Sequence, residues 1–275
     1  MDLNLDNATV DSFGDEWSRF DQIDMPHEEA KRHFEAYFSV FPWNKINESS
    51  EGFDMGCGSG RWARFVAPQC GLLNCIDPSS ALDVARRALA FHENVCFHEA
   101  SVSNNSITPG SQDFGYSLGV LHHVPNTAAA LASCVSLLKP GAPLLLYLYY
   151  AFDNRPRWFR FLWKCSNIVR LLISSLPPKP KRFSTDIVAA FVYFPLARLA
   201  ALFAALKFKV DVFPLSAYMH CSFYTMRTDS RDRFGTPLEK RFTRAQITSM
   251  CASAGLVNLK FSDGAPFWCV VGFKA

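Results

Sequence analysis

Between residues 53 and 150, short apolar runs alternate with amphipathic stretches. Segments 53–55, 72–76, 95–98, 114–118 and 143–149 read as strands, and 62–68, 81–91 and 127–138 as helices. Strands and helices alternating at this spacing imply right-handed βαβ crossovers and a parallel sheet covered on both faces. After Arg241 the pattern returns. A helix over 243–254 is stopped by Gly255, and strands over 256–261 and 267–273 are joined by Ser262-Asp263-Gly264-Ala265-Pro266, a connection suited to a hairpin. The expected fold is therefore α/β: a Rossmann-like, mostly parallel sheet whose last strand is antiparallel, with an insertion between strands five and six.

The insertion, 151–240, has a different texture. Two long apolar segments, 158–176 and 187–206, are separated by Pro177-Pro178-Lys179-Pro180, which reads as a hinge between helices. The second segment is nearly long enough to cross a bilayer, but Pro195 and Arg198 in its interior favour a packed or interfacial helix. From 153 to 182 basic residues greatly outnumber acidic ones, and Trp158, Phe159, Phe161 and Trp163 are interleaved with them. Two readings stay open. Residues 155–206 form a peripheral membrane contact, or they cap an active site with a basic face turned to solvent.

Composition narrows the function. A chain of 275 residues holds one large buried core with an appended piece. Hydrophobic residues make up 49% and include 25 Phe, against 19% charged residues, so an apolar ligand or surface is expected. A net charge of +3 gives no nucleic-acid footprint. The nine cysteines contain no C-x-x-C pair, which fits free thiols in a reduced compartment and leaves no metal site. Residues 1–11 are acidic and lack the apolar stretch of a secretory signal, so the expected location is cytoplasmic, with membrane association through 155–206 left open.

The chemistry concentrates at Phe53-Asp54-Met55-Gly56-Cys57-Gly58-Ser59-Gly60-Arg61-Trp62, a glycine cluster directly after the first strand and before the first helix of the sheet. Open parallel sheets bind ligands beyond such strand ends. The spacing lacks the third glycine of a dinucleotide loop, because Arg61 stands there, and it lacks the Gly-Lys-Ser/Thr of a phosphate loop. The next strand ends at Asp77, where a carboxylate can accept hydrogen bonds from both hydroxyls of an adenosine ribose.

Asp54-x-Gly56-x-Gly58-x-Gly60, then Asp77, then the run from Asp113 through Leu118-Gly119-Val120-Leu121-His122-His123, then Leu137-Leu138-Lys139-Pro140-Gly141, resemble the class I S-adenosylmethionine-dependent methyltransferases. Within them the similarity is to the small-molecule group that includes ubiquinone-type and sugar methyltransferases. The resemblance covers roughly 51–150 and 242–274 and implies a seven-stranded sheet. It also implies that the methionyl part of S-adenosylmethionine lies against Asp54 and the loop Gly56, Cys57, Gly58, Ser59 and Gly60, and the ribose on Asp77. Ala100 and Ser101 would flank adenine. Leu118 and Gly119 would line the methionyl side. His122 would border the cofactor toward the acceptor, and His123 would be the base if the acceptor is protonated. The opening Ser12 to Phe20 is similar to a segment that folds over the cofactor in relatives, which makes Phe13 and Trp17 candidates there. Tyr224, Arg227, Asp229, Asp232 and Arg233, in the stretch returning from the insertion, are acceptor candidates.

The expected organisation is a helical segment over the cofactor site (1–50), a core (51–150 and 241–275) and a mainly helical insertion (151–240). The expected activity is methyl transfer from S-adenosylmethionine, most plausibly to an oxygen of a secondary metabolite, sugar or lipid-like compound. The alternative is a non-catalytic protein of the same fold that holds a membrane or partner through its basic-aromatic insertion. RNA or protein methylation is disfavoured, because no Asn-Pro-Pro-Tyr-type run follows the fourth strand.

Overall fold

A computed structural model describes residues 4–22 and 24–275; residues 1–3 of the opening segment, and residue 23, lie outside it. In chain order the main elements are α1 (Asn7–Arg19), α2 (His27–Tyr37), β1 (Glu51–Met55), α3 (Ala63–Val66), β2 (Leu72–Ile76), α4 (Ala81–Ala88), β3 (Val95–His98), β4 (Phe114–Leu118), α5 (Thr127–Leu137) and β5 (Pro143–Tyr147). Then follow α6 (Arg157–Ser174), α7 (Pro178–Val188), α8 (Phe194–Ala205), α9 (Phe223–Gly235), α10 (Arg244–Ser253), β6 (Leu256–Phe261) and β7 (Val270–Lys274).

The strands form one seven-stranded sheet in the order β3-β2-β1-β4-β5-β7-β6. Strands β1 to β5 pair in parallel, and β7 runs antiparallel to both β5 and β6. This is the expected architecture, insertion included. Side chains alternate across the sheet with the period of two that strands impose. Phe53, Met55, Leu144 and Leu146 enter one apolar layer with Leu131 and Ile247, while Phe114, Tyr116 and Leu145 enter the other with Phe38, Trp62 and Leu82. Because β1 leads to β2 on one side and lies beside β4 on the other, the order of strand addition reverses between β1 and β4. A crevice opens at such a point beyond the carboxyl ends of the strands.

Local chemistry starts and stops the helices. Asp6 accepts from the Thr9 N–H at 2.8 Å and caps α1, and Asn126 caps α5 in the same way. Thr243 and Gln246 form a reciprocal capping box on α10, which ends before Gly255 at φ +89°.

The chain divides into two compact units: residues up to 21 with 32–151 and 238–275, and residues 22–31 with 152–237. Two local expectations in the second unit are corrected. The proline run does fall between two helices, but the second begins at Pro178 rather than at 187: Pro178 opens α7, where a missing N–H costs nothing, and the helix continues through a π-helical turn, Ala189–Tyr193, into α8. The expected return segment at 226–237 is mostly helix α9, capped by Ser222. In the first unit the fifth strand ends at Tyr147 rather than 149, and the helix expected over 62–68 shortens to α3 followed by a 3-10 turn, Ala67–Gln69.

Candidate functional site

The glycine turn after β1 is held from two sides. The N–H groups of Gly56 and Cys57 both donate to the Ile76 carbonyl, at 2.8 and 3.1 Å, which ties the turn to the end of β2. Gly56, Gly58 and Gly60 all have positive φ. A Cβ at Gly56 would lie 2.4 Å from Val120 Cγ2, so this position combines a left-handed backbone with a close approach that only glycine accommodates. The side chain of Ser59 is buried and its Oγ has no hydrogen-bond partner among the described residues. Cys57 is buried; hydrogen bonding with Cys75 and then burial push its thiol well above the ordinary range, so it stays a neutral packing group.

Asp54 and Asp77 are the two buried carboxyls of the crevice. Asp54 stands on β1 opposite Tyr116 of β4. Burial pushes its pKa up to about 8, with the Tyr116 hydroxyl opposing, Asp77 adding and Arg61 opposing. Its Oδ2 has no hydrogen-bond partner among the described residues. Asp77 is anchored: Oδ2 accepts from the Gly58 N–H at 2.9 Å, and Oδ1 accepts from the Ser79 N–H at 2.9 Å and the Ser79 hydroxyl at 2.6 Å. Burial raises its pKa too, against those hydrogen bonds.

Helix α1 lies along the same strand ends. Phe13 meets the His123 ring edge-on at 4.9 Å, a Cβ at Gly14 would come 2.6 Å from Ser80 Oγ, and a Cβ at Gly58 would come 3.1 Å from Trp17 Nε1. Arg61 stacks over Trp62 at 4.2 Å and reaches Trp17 at 5.7 Å. Phe13 and Trp17 thus border the ends of β4 and β1, respectively.

Beyond β4, Leu118 is buried, and Gly119, at φ +81°, donates to the Tyr147 carbonyl at 3.1 Å. A Cβ on Gly119 would meet nothing within 4 Å, so the backbone here borders open space. His122 and His123 follow in a 3-10 turn, both buried. His123 Nδ1 lies 2.6 Å from the Leu238 carbonyl, which can only accept, so Nδ1 carries a proton. His122 Nδ1 accepts from the Tyr149 N–H at 3.4 Å, its ring stacks on Tyr149 at 3.9 Å, and its Nε2 has no hydrogen-bond partner among the described residues. Burial first, then His123 and Arg241, holds its pKa well below the usual histidine range, so His122 is neutral. Arg241 packs over Tyr149 at 4.8 Å and pairs with Glu239 at 2.8 Å. After β3, Ala100 donates to the Asp77 carbonyl at 3.3 Å and Ser101 Oγ accepts from the Asn104 N–H at 3.1 Å.

A protein-family profile described as a methyltransferase domain matches residues 53–144, the segment that carries Asp54, the glycine turn, Asp77, His122 and His123. Residues 53–144 are thus a methyltransferase domain, of the class I S-adenosylmethionine-dependent kind. Among curated relatives, this methyltransferase is 25% identical over 171 residues to the ubiquinone biosynthesis O-methyltransferase of Saccharophagus degradans, covering 58% of its own length and 68% of that protein. It is 30% identical over 150 residues to the protein of the same name from Dechloromonas aromatica, covering 52% and 63%. Alignments to two further proteins of that name span only 44% and 48% of their length. The solved O-methyltransferase family protein from Burkholderia thailandensis superposes with a TM-score of 0.53 at 14% identity, covering 96% of this chain and 58% of that one. The S-adenosylmethionine-dependent methyltransferase SibL gives 0.52 at 15%, covering 94% and 61%. At such identities the structural likeness speaks for the fold alone.

The residues present fit S-adenosylmethionine. Asp54 offers a buried carboxyl oxygen without a partner, suited to the ammonium of the methionyl group. Asp77 accepts three bonds where an ionised carboxylate offers about four lone-pair sites, which leaves capacity for a ribose hydroxyl. The remaining candidates lie in the second unit, on α9. There Tyr224 Oη accepts from the Gln22 N–H at 2.9 Å, Arg227 pairs with Asp186 at 3.1 Å, Asp229 hydrogen-bonds Tyr218, and Arg233 lies over the Trp163 ring at 5.5 Å. Asp232 is half-buried on the same helix. Sequence reasoning passes over Tyr116, Tyr149 and Arg241. The one signal available for them is a polar or cationic residue at the end of, or just beyond, an otherwise apolar run.

Proposed function

We propose that this methyltransferase moves a methyl group onto a hydroxyl oxygen of a small, lipid-like acceptor, with His123 as the general base. Bound S-adenosylmethionine supplies a methyl already activated by its sulfonium. Asp54 would hold the ammonium, the glycine turn would pack against the methionyl chain, and Asp77 would take the ribose. Ala100 and Ser101 would border the adenine, and His122 would border the methionyl side with its neutral ring. Positioning and exclusion of water then carry most of the rate, and α1 supplies cover through Phe13 and Trp17.

The observation that carries the base assignment is the tautomer of His123. Its Nδ1–H is committed to the Leu238 carbonyl, so in the neutral ring the lone pair sits on Nε2. A hydroxyl acceptor needs such a base, since its proton must leave as the oxygen attacks the methyl carbon. The name shared by the curated relatives supports oxygen as the atom methylated, and a prenylated phenol as the acceptor to try first. Tyr224, Arg227, Asp229, Asp232 and Arg233 are proposed contacts for the acceptor.

The test is transfer of labelled methyl from S-adenosylmethionine to a panel of prenylated phenols, sugars and lipid alcohols. A methyl ether is the expected product. His123→Ala should lower kcat by about a hundredfold with cofactor affinity unchanged. Exclusive transfer to amines, or a loss under about tenfold, would overturn the oxygen assignment or the base assignment respectively.

A further inference from the structure

The second unit carries large apolar side chains on its outside as well as in its core. Its buried residues include the apolar cluster Ile173, Tyr193, Ala197, Met226 and Phe234, and also Arg170, Lys181, Thr185, Thr228, Ser230 and Arg231. Arg170 donates to the Thr236 and Pro237 carbonyls at 2.9 and 3.1 Å, and Ser230 Oγ donates to the Thr185 carbonyl at 2.8 Å. The outward faces of α6 and of the continuous α7–α8 helix carry further large apolar groups: Phe161 is 70% exposed, Leu172 65%, Phe183 67% and Phe191 76%. Water drives the opposite arrangement, because each large apolar side chain gains by leaving it. A patch this long on two helices marks contact with an apolar phase.

Charge identifies that phase. From residue 157 to 209 the chain has ten basic residues and one acidic residue, Asp186, which is paired with Arg227. Arg157, Arg160, Lys164, Lys179, Lys207 and Lys209 are exposed, near the starts of α6 and α7 and beyond the end of α8. Apolar faces bordered by unpaired cations match an anionic lipid surface, which offers acyl chains to the first and phosphates to the second.

The helix Pro178–Ala205 has the length and composition to cross a bilayer, with 22% of its most apolar window buried. Its packing favours lying flat. Lys181, Thr185, Ala189, Tyr193, Ala197 and Ala200 form a buried stripe along its full length, and the polar helix α9 packs against α7 and α6. One flank is therefore protein and the other is apolar, which is the geometry of an in-plane helix.

We infer that the outer faces of α6 and α7–α8 dock in the plane of an anionic bilayer surface. The full-length protein is tested by flotation with vesicles of phosphatidylcholine and phosphatidylglycerol in equal parts, against pure phosphatidylcholine. Flotation should require the anionic lipid and should be removed by an alkaline carbonate wash. Phe161→Ser with Phe191→Ser should weaken it about tenfold or more, because each removes an exposed aromatic anchor. Arg157→Glu with Arg160→Glu should abolish the preference for phosphatidylglycerol. Three results would overturn the inference: failure of the folded wild type to float, retention through the carbonate wash, or a dimer in solution that the Phe substitutions dissociate. Unaltered S-adenosylmethionine binding in the same variants separates this outcome from any failure of the cofactor site.

Discussion

Both units of this chain bury an apolar core, and they differ in how many large apolar side chains they leave exposed. In the first, apolar side chains fill both faces of the sheet, and Asp54, Asp77, His122 and His123, which are costly to bury, lie at or just beyond the carboxyl ends of its strands. In the second, a small apolar core of Ile173, Tyr193, Ala197, Met226 and Phe234 is accompanied by buried polar groups such as Arg170 and Ser230, which donate to carbonyls, and many large apolar side chains face outward. The difference teaches that a hydrophobic residue has no fixed destination. What fixes it is the phase on the other side of the helix.

Stability measurements sharpen that comparison. Leu131, fully buried between α5 and the sheet, should cost about 3 kcal/mol as Leu131→Ala, read from urea denaturation. Arg170→Ala should cost about 2 kcal/mol despite removing a charge, because it strands the Thr236 and Pro237 carbonyls in the interior of the second unit. Phe161→Ser, on the outer face of α6, should change stability by less than about 0.5 kcal/mol. If Phe161 cost as much as Leu131, or Arg170 as little as Phe161, the exposed apolar face of α6 or the buried role of Arg170 would be contradicted.

The elements of the first unit were legible in the sequence because its strands and helices are apolar runs of different period, separated by glycines that their turns require. Gly56, Gly58, Gly60 and Asp77 are close in sequence, so their spacing alone brought them together. The second unit was harder. Helix α9 buries Thr225, Thr228, Ser230 and Arg231 beside Met226 and Phe234, and a search for apolar periodicity misses a helix whose buried side is mostly polar. The start of α7 was hidden by prolines, which break a helix in its middle but open one at its first turn. The partners of Asp54 and His122 were illegible for another reason: Tyr116 and Tyr149 meet them only through strand pairing and stacking across the fold.

The central claim is that the strand-end carboxyls hold S-adenosylmethionine. Its most direct test is calorimetric titration of the cofactor at pH 7 into wild type, Asp77→Ala and Asp54→Asn, in buffers of different ionisation enthalpy. Asp54 has a folded pKa raised to about 8, so without ligand it is mostly protonated at that pH, and its contribution to stability is lost as pH rises from the carboxylate range through about 8. A cation beside it lowers that pKa again, so binding should expel about one proton and tighten as pH climbs toward 8. The account predicts saturable binding with proton release in the wild type, binding at least about tenfold weaker in Asp77→Ala, and loss of the proton release in Asp54→Asn. Folded wild-type protein that does not bind, or that binds no better than Asp77→Ala, would contradict it.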